Sequence, residues 1–222
     1  MALRAAAICA LLVVVSAGCG GDGGNESSNG GDKGTCAQLG DVAAPRETKA
    51  PWSAPANPME LTCAAGLVPE KAEFLQYHVH AHLDVFVNGR PVPVPAGIGI
   101  DLDNPAIAAD KGASGVVIGA GLREECDEPC ISPLHTHDLS GLLHTETEKP
   151  SPNKLGQFFT EWAVRLTPDC IGAYCKPKTA IKIYVDGQVE TGDPNEIELA
   201  NLREIAVVIG TAPAKIPMEF PR

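Results

Sequence analysis

At 222 residues, with 28 acidic side chains against 17 basic ones and a formal net charge of −11, the chain is a poor match for nucleic acid or anionic lipid headgroups, which select basic surfaces. The same acidity raises the local concentration of cations. Beyond an N-terminal apolar run, no window approaches the ~20 apolar residues of a membrane-spanning helix.

The first eighteen residues have the make-up of a leader. Arg4 precedes an apolar run over residues 5–15, followed by Ser16-Ala17-Gly18-Cys19. That run is too short for a bilayer and suits the apolar region of a secretory signal. The small residues before Cys19 resemble a bacterial lipoprotein signal. The resemblance implies cleavage before Cys19, lipid attachment to its sulfur, and a chain tethered to the cell membrane on its extracytoplasmic side. Ser16 departs from the aliphatic residue usual at that position, which leaves ordinary secretion open. Residues 20–34 are a polar, Gly-rich tract that reads as a flexible spacer. Residues 41–58 are rich in Pro and Ala, with Trp52 the one bulky anchor. The expected division is a signal at 1–18, an anchor cysteine and flexible linker at 19–60, and a single globular domain at 61–222. The lipid anchor is then the membrane contact.

Apart from Cys9 in the leader and Cys19, six cysteines remain: Cys36, Cys63, Cys126, Cys130, Cys170 and Cys175. In an exported protein an even count reads as disulfides. Cys170 and Cys175 flank Ile-Gly-Ala-Tyr and are placed to close a small loop. Cys126 and Cys130 flank Asp-Glu-Pro shortly before His135, so a metal-binding thiolate at Cys130 is the sharper alternative.

The stretch Tyr77-His78-Val79-His80-Ala81-His82-Leu83-Asp84-Val85-Phe86-Val87 alternates apolar and polar residues and ends in Asn88-Gly89, a strong hairpin signal. Successive side chains of a strand point to opposite faces. Tyr77, Val79, Ala81, Leu83, Val85 and Val87 are therefore expected on a core face, and His78, His80, His82 and Asp84 on the other. The return strand carries prolines at 91, 93 and 95, each without a backbone donor, so it belongs at a sheet edge. Residues 97–100 are its candidate continuation, and 115–119 a further short strand. Ser140-Gly141 marks a turn before a strand that begins at His144. Ser151-Pro152 opens a helix over 153–165, with Leu155, Phe158, Phe159, Trp162 and Leu166 on the stripe that faces the core. Residues 180–185 with Asp186-Gly187 repeat the pattern of the first hairpin, and 197–199 and 204–209 supply the last strands. The order predicts an α+β fold: a mixed, mainly antiparallel sheet of hairpins with one packed helix, β-grasp-like.

All six histidines fall in two groups, the strand triplet above and His135, His137 and His144. Imidazole is the commonest protein metal ligand, and the clustering points to a metal ion. A structural hydrogen-bond network and a pH-sensitive polar face are the alternatives. Residues two apart on a strand lie ~6.6 Å apart, and zinc–nitrogen bonds are ~2.0–2.1 Å. Neighbours in a His-x-His pair can thus share an ion, whereas three in line would strain. The simplest set takes two ligands from the strand and two from His135 and His137, in one cleft where His80 and His82 face them. His78 or His144 then completes a second site or stands outside. Asp84 and Asp138 are candidate acceptors for the second N–H of a ligating imidazole; Asp138 suits a turn equally well. Nitrogen-rich sites favour Cu, Zn, Ni or Fe over Ca and Mg. Only Met59 and Met218 follow the initiator, which argues against a thioether Cu(I) site. The expected cofactor is copper or zinc, copper first.

The segment from Tyr77 to Asp84, the Asn88-Gly89 turn, Val-Pro-Ala-Gly-Ile-Gly-Ile, Pro-Leu-His-Thr-His-Asp-Leu-Ser-Gly-Leu-Leu-His-Thr-Glu and Leu-Gly-Gln-Phe-Phe-Thr-Glu-Trp resemble an uncharacterised family of exported prokaryotic proteins, over roughly residues 63 to 210. That resemblance implies no particular activity. His-x-His is also similar to the cupins, whose glutamate shortly after the pair is missing here. Two function classes follow from the residues: a metal-binding module for sequestration, sensing or delivery, and a metalloenzyme with an open coordination position. A surface protein with structural histidines is the third. No nucleophile elbow, phosphate loop or His-Glu-x-x-His is present. Glu146 is the candidate general base, against its plainer reading as a surface charge.

Overall fold

The computed structural model describes residues 33–40 and 42–221; the leader, Cys19 and most of the Gly-rich tract lie outside the described residues. The alternation of Tyr77–Val87 gives an eleven-residue strand, β1, with Ala81, Leu83 and Val85 buried on its core face. Asn88 and Gly89 both take positive φ, the geometry of a tight turn matched to strand twist. They return the chain into β2 (Arg90–Val92), which pairs only with β1. Pro91 and Pro93 keep β2 short and at an edge, as the sequence requires.

In chain order the elements are α1 (Lys33–Gln38), α2 (Pro58–Ala64), β1 and β2, β3 (Ile107–Lys111), β4 (Val117–Leu122), β5 (Leu134–His135), β6 (Leu142–Thr147), α3 (Leu155–Glu161), β7 (Cys170–Ile171), β8 (Tyr174–Cys175), β9 (Ile181–Val185), β10 (Gln188–Glu190) and β11 (Arg203–Ile209). The main sheet runs β10-β9-β11-β1-β6-β5, with β2 also beside β1. β1 and β11 are parallel and every other pair is antiparallel. The fold is α+β with a mixed, mainly antiparallel sheet. The run β2-β1-β11-β9 is parallel at its centre.

The length of β1 decides where the histidines go. Val85–Val87 pair with β2, whereas Tyr77–His82 pair with β6 along the same edge. The His-rich excursion thus returns as two more strands, β6 and β5, that extend the sheet. On the opposite face α3 packs Leu155, Phe158 and Phe159, with Trp162 just beyond it, against Leu83, Val85, Ile205 and Val207. Burying each such side chain contributes about 1.5–3 kcal/mol.

Several sequence expectations need adjustment. The packed body begins before Leu61: Trp52 is 2% exposed and meets Trp162 edge-on at 5.6 Å. The Arg46 guanidinium donates to the carbonyls of Trp162 and Ala163. The segment called linker therefore closes one side of the core, because two large indoles offer each other more apolar area than solvent exposure allows. Residues 97–100 form a turn rather than a strand, with Gly97 and Gly99 at positive φ. The helix is shorter than 153–165, since Ala163 adopts φ 53° and ends it. Residues 197–199 make one isolated bridge, Lys154 to Glu198, and no strand.

The six cysteines stand at disulfide distance as Cys36–Cys63, Cys126–Cys130 and Cys170–Cys175. Among the described residues no helix is long and apolar enough to cross a membrane.

Candidate metal centre

Sheet register assembles the site. β6 lies between β1 and β5, with His144 opposite His80 on one side and His135 on the other. His78 stands opposite Glu146. Side chains of residues paired across a sheet share a face, so His78, His80, His135, His144 and Glu146 converge on the face away from α3. His137, two residues past His135, is tied down from a different element: its Nδ1 lies 2.8 Å from the Ala120 carbonyl of β4.

The tautomers of His135 and His137 follow from their partners. The His135 Nδ1 is 2.8 Å from the Ser132 carbonyl. A carbonyl oxygen only accepts, so both Nδ1 atoms carry hydrogen and donate. In the neutral rings both Nε2 atoms then carry lone pairs, and these face each other at 3.1 Å. Two lone pairs so close repel unless a cation lies between them, either a proton on one ring or a metal ion. Two nitrogens bound tetrahedrally at ~2.0–2.1 Å are separated by roughly 3.3 Å. The backbone carbonyls meanwhile hold both rings in the orientation typical of ligating imidazoles.

His144 and Glu146 complete the group: one ligand atom from each of His135, His137, His144 and Glu146 lies within 4.8 Å of the others. The plain surface-charge reading of Glu146 is corrected here, since its side chain is 3% exposed. Its Oε1 sits 3.1 Å from both His144 Nδ1 and His78 Nε2. Its Oε2 is buried, makes no hydrogen bond among the described residues, and lies 3.9 Å from His135 Nε2. Burial would raise its pKa, yet the hydrogen bond with His144 holds it below the usual carboxylate value. Burial pushes His135 down to about 3, with His137 and His144 adding to the effect. His80 is lowered by burial and by His144 and His78, and its buried Nε2 makes no hydrogen bond among the described residues. These rings are held as free bases, which is the state that binds metal.

The supports reach into the core. The Ser132 hydroxyl donates to Glu161 Oε1 at 2.5 Å, and Thr62 Oγ1 reaches the same oxygen at 3.0 Å. Ser132 is thereby fixed, and its carbonyl orients His135. Behind β5, Gly99 has φ +72°, and a Cβ there would lie 2.5 Å from the Leu134 carbonyl. Only glycine permits that close approach. At the rim, Glu73 lies 3.7 Å from His137 Nε2.

Other predicted residues are placed elsewhere. His82 is not part of this cluster: its Nδ1 is 2.8 Å from Glu204 Oε2 and its Nε2 2.8 Å from the Ser140 carbonyl, and with Asp84 and Glu204 it forms a separate group whose ligand atoms lie within 4.8 Å of one another. One step further along β1, His82 faces Leu142 on β6 and Glu204 on β11, so the register separates it from its neighbours. Burial opposes its charged form, but the hydrogen bond and charge of Glu204 keep its pKa above the usual value. Asp84 stands beside this pair, 3.9 Å from His82 Nδ1, and supports no ring of the five-histidine group. Asp138 is a turn residue, accepting from the Ser140 backbone N–H. Cys130 is paired with Cys126 and offers no thiolate. Glu73, Glu204, Ser132 and Glu161 escaped the sequence reading. Their roles depend on contacts with distant segments, and no local pattern marks them. For Glu146 a signal existed: the spacing His144-x-Glu146 puts both on one face of a strand.

Comparison of the chain with protein-family models, with curated proteins and with solved structures gives no match.

Proposed function

We propose that this protein is a lipid-anchored, extracytoplasmic metal-binding protein that holds a copper or zinc ion for sequestration, sensing or delivery. The observation that carries the reading is the pair of imidazole lone pairs 3.1 Å apart, on rings locked by backbone acceptors, beside a buried carboxylate oxygen without a hydrogen bond among the described residues. Three nitrogens and one carboxylate oxygen suit Zn(II) or Cu(II). The cysteines among the described residues stand paired and offer no thiolate for Cu(I). The side chains of His78 and His137 are 34% and 28% exposed, so one edge of the site meets solvent. Such an edge allows an ion to enter and leave, which suits delivery. It also gives a metal-dependent enzyme standing as the second reading, since solvent there can fill an open coordination position. The leader and Cys19 motivate the location, and the acidic balance fits attraction of cations.

Calorimetric titration of the metal-stripped chain with Cu(II) and with Zn(II) tests the reading. Binding at neutral pH is expected, weakened at least tenfold in His137→Ala, with copper the tighter ion. Absence of binding by either ion, or parental affinity in His137→Ala, would overturn it. Release of the chain from membranes by Cys19→Ala tests the location.

A further inference from the structure

The four ligands of the proposed site leave His78 and His80 over, and their geometry repeats that of the first pair. The His135 and His137 rings meet edge-on, with centroids 4.6 Å apart at 77°. The His78 and His80 rings do the same at 4.5 Å and 89°. His144 lies between the pairs. Its ring is stacked on His135 at 5.4 Å and 11° and on His78 at 5.9 Å and 27°. It also meets His137 at 4.5 Å and His80 at 4.4 Å, both edge-on. The arrangement has an approximate mirror plane through β6, with one His-x-His pair on each flanking side.

We propose that the centre is dinuclear, with a second copper or zinc ion held by His78 and His80 of β1 and the side chains of β6 shared between the two ions. This rests on the reading that the His135 and His137 side binds the first ion. Strands are ~4.8 Å apart, so the backbones of β1 and β5 stand roughly 9.6 Å apart across β6. The β1 rings fall in a group of ligand atoms separate from that of His135 and His137. Those rings are nevertheless gathered as tightly as their counterparts: ligand atoms from His78, His80 and His144 lie within 4.8 Å of one another. His80 Nε2 is buried without a hydrogen bond among the described residues, whereas most buried polar side-chain atoms have a partner.

Glu146 supplies the link. Its Oε1 faces His78 at 3.1 Å, and its Oε2 faces His135 at 3.9 Å. A carboxylate with one oxygen turned to each pair is a bridge, and ions so bridged lie ~3.5–4 Å apart in two-metal sites. His144, within reach of both groups, belongs to whichever ion its nitrogens face. Two divalent ions bring four positive charges to the face, and Glu146 and Glu73 stand next to the rings to offset part of them.

The test is metal stoichiometry on the full chain, measured by elemental analysis and calorimetry after loading with Zn(II) or Cu(II) and removing excess. Two ions per chain are expected for the parent, and one for His78→Ala/His80→Ala and for His135→Ala/His137→Ala. In the Cu(II)-loaded parent, electron paramagnetic resonance is expected to show a coupled pair, with a half-field transition that the His78→Ala/His80→Ala variant lacks. The parent measurements need no variant to fold. One ion per parent chain with an uncoupled signal overturns the dinuclear centre and leaves the single-ion reading standing. No bound ion in the parent overturns both.

Discussion

Replacing Glu161 by Gln is expected to remove a pH-dependent weakness from the fold. Glu161 is fully buried. Its Oε1 accepts from Ser132 and Thr62, and its Oε2 makes no hydrogen bond to the protein. Burial pushes its pKa from 4.5 up to about 8, with the two hydroxyls pulling weakly the other way. In the unfolded chain the carboxyl ionises near 4.5, so between 4.5 and about 8 the folded state holds a proton that the unfolded state has released. Stability then falls with rising pH. The contribution is intact below 4.5, is lost progressively up to about 8, and is constant above. At ~1.4 kcal/mol per pH unit the full loss is on the order of 5 kcal/mol. Gln keeps the acceptor for Ser132 and Thr62 and carries no charge. Urea unfolding of parent and Glu161→Gln at pH 4.5, 6 and 8, with chelator present, should give similar stabilities at pH 4.5 and a variant several kcal/mol more stable at pH 8. Glu70, also pushed up to about 8 by burial and by Glu148 and Glu146, acts equally in both chains and drops out of the difference. Parallel stability curves across this range would refute the reasoning. Because Ser132 stays in place, metal binding by Glu161→Gln should match the parent.

His82→Ala should leave metal stoichiometry unchanged, because His82 bonds Glu204 and Ser140 rather than the cluster. It should cost about 3–5 kcal/mol by leaving Glu204 buried and uncompensated, and loss of an ion in this variant would return His82 to the ligand set. Gly99→Ala and Gly115→Ala both place alanine at positive φ, at about 1–2 kcal/mol each, but only the first meets neighbours, with Leu134 O at 2.5 Å and His135 Cβ at 3.2 Å. Thermal unfolding should therefore show Gly99→Ala as clearly the less stable, and titration should show weakened metal binding in that variant alone; equal effects would contradict the close packing behind β5. Thiol titration of the unreduced, unfolded mature chain should find no free thiol among Cys36, Cys63, Cys126, Cys130, Cys170 and Cys175, and two or more reactive thiols would reopen Cys130 as a ligand.

The local signals in this chain were strong where the physics is local. Period-two alternation made Tyr77–Val87 a strand and put its histidines on one face. Asn88-Gly89 and Asp186-Gly187 became turns because both residues of each accept positive φ. The stripe of Leu155, Phe158 and Phe159 became the buried side of a helix, with Trp162 buried just past its end, because residues three and four apart share a helix face. What the tertiary structure alone decided is which polar residues meet. Glu204 is 122 positions from His82, and nothing in either segment announces the pairing. A strand's neighbours and its register are set by packing over the whole sheet, and a one-residue slip would turn every side chain to the other face. That register sends His82 to Glu204, brings His80 and His135 to either side of His144, and buries Glu146 among them. It also makes Asp138 a turn residue, because burial and partnership belong to the assembled neighbours and not to any residue's own sequence.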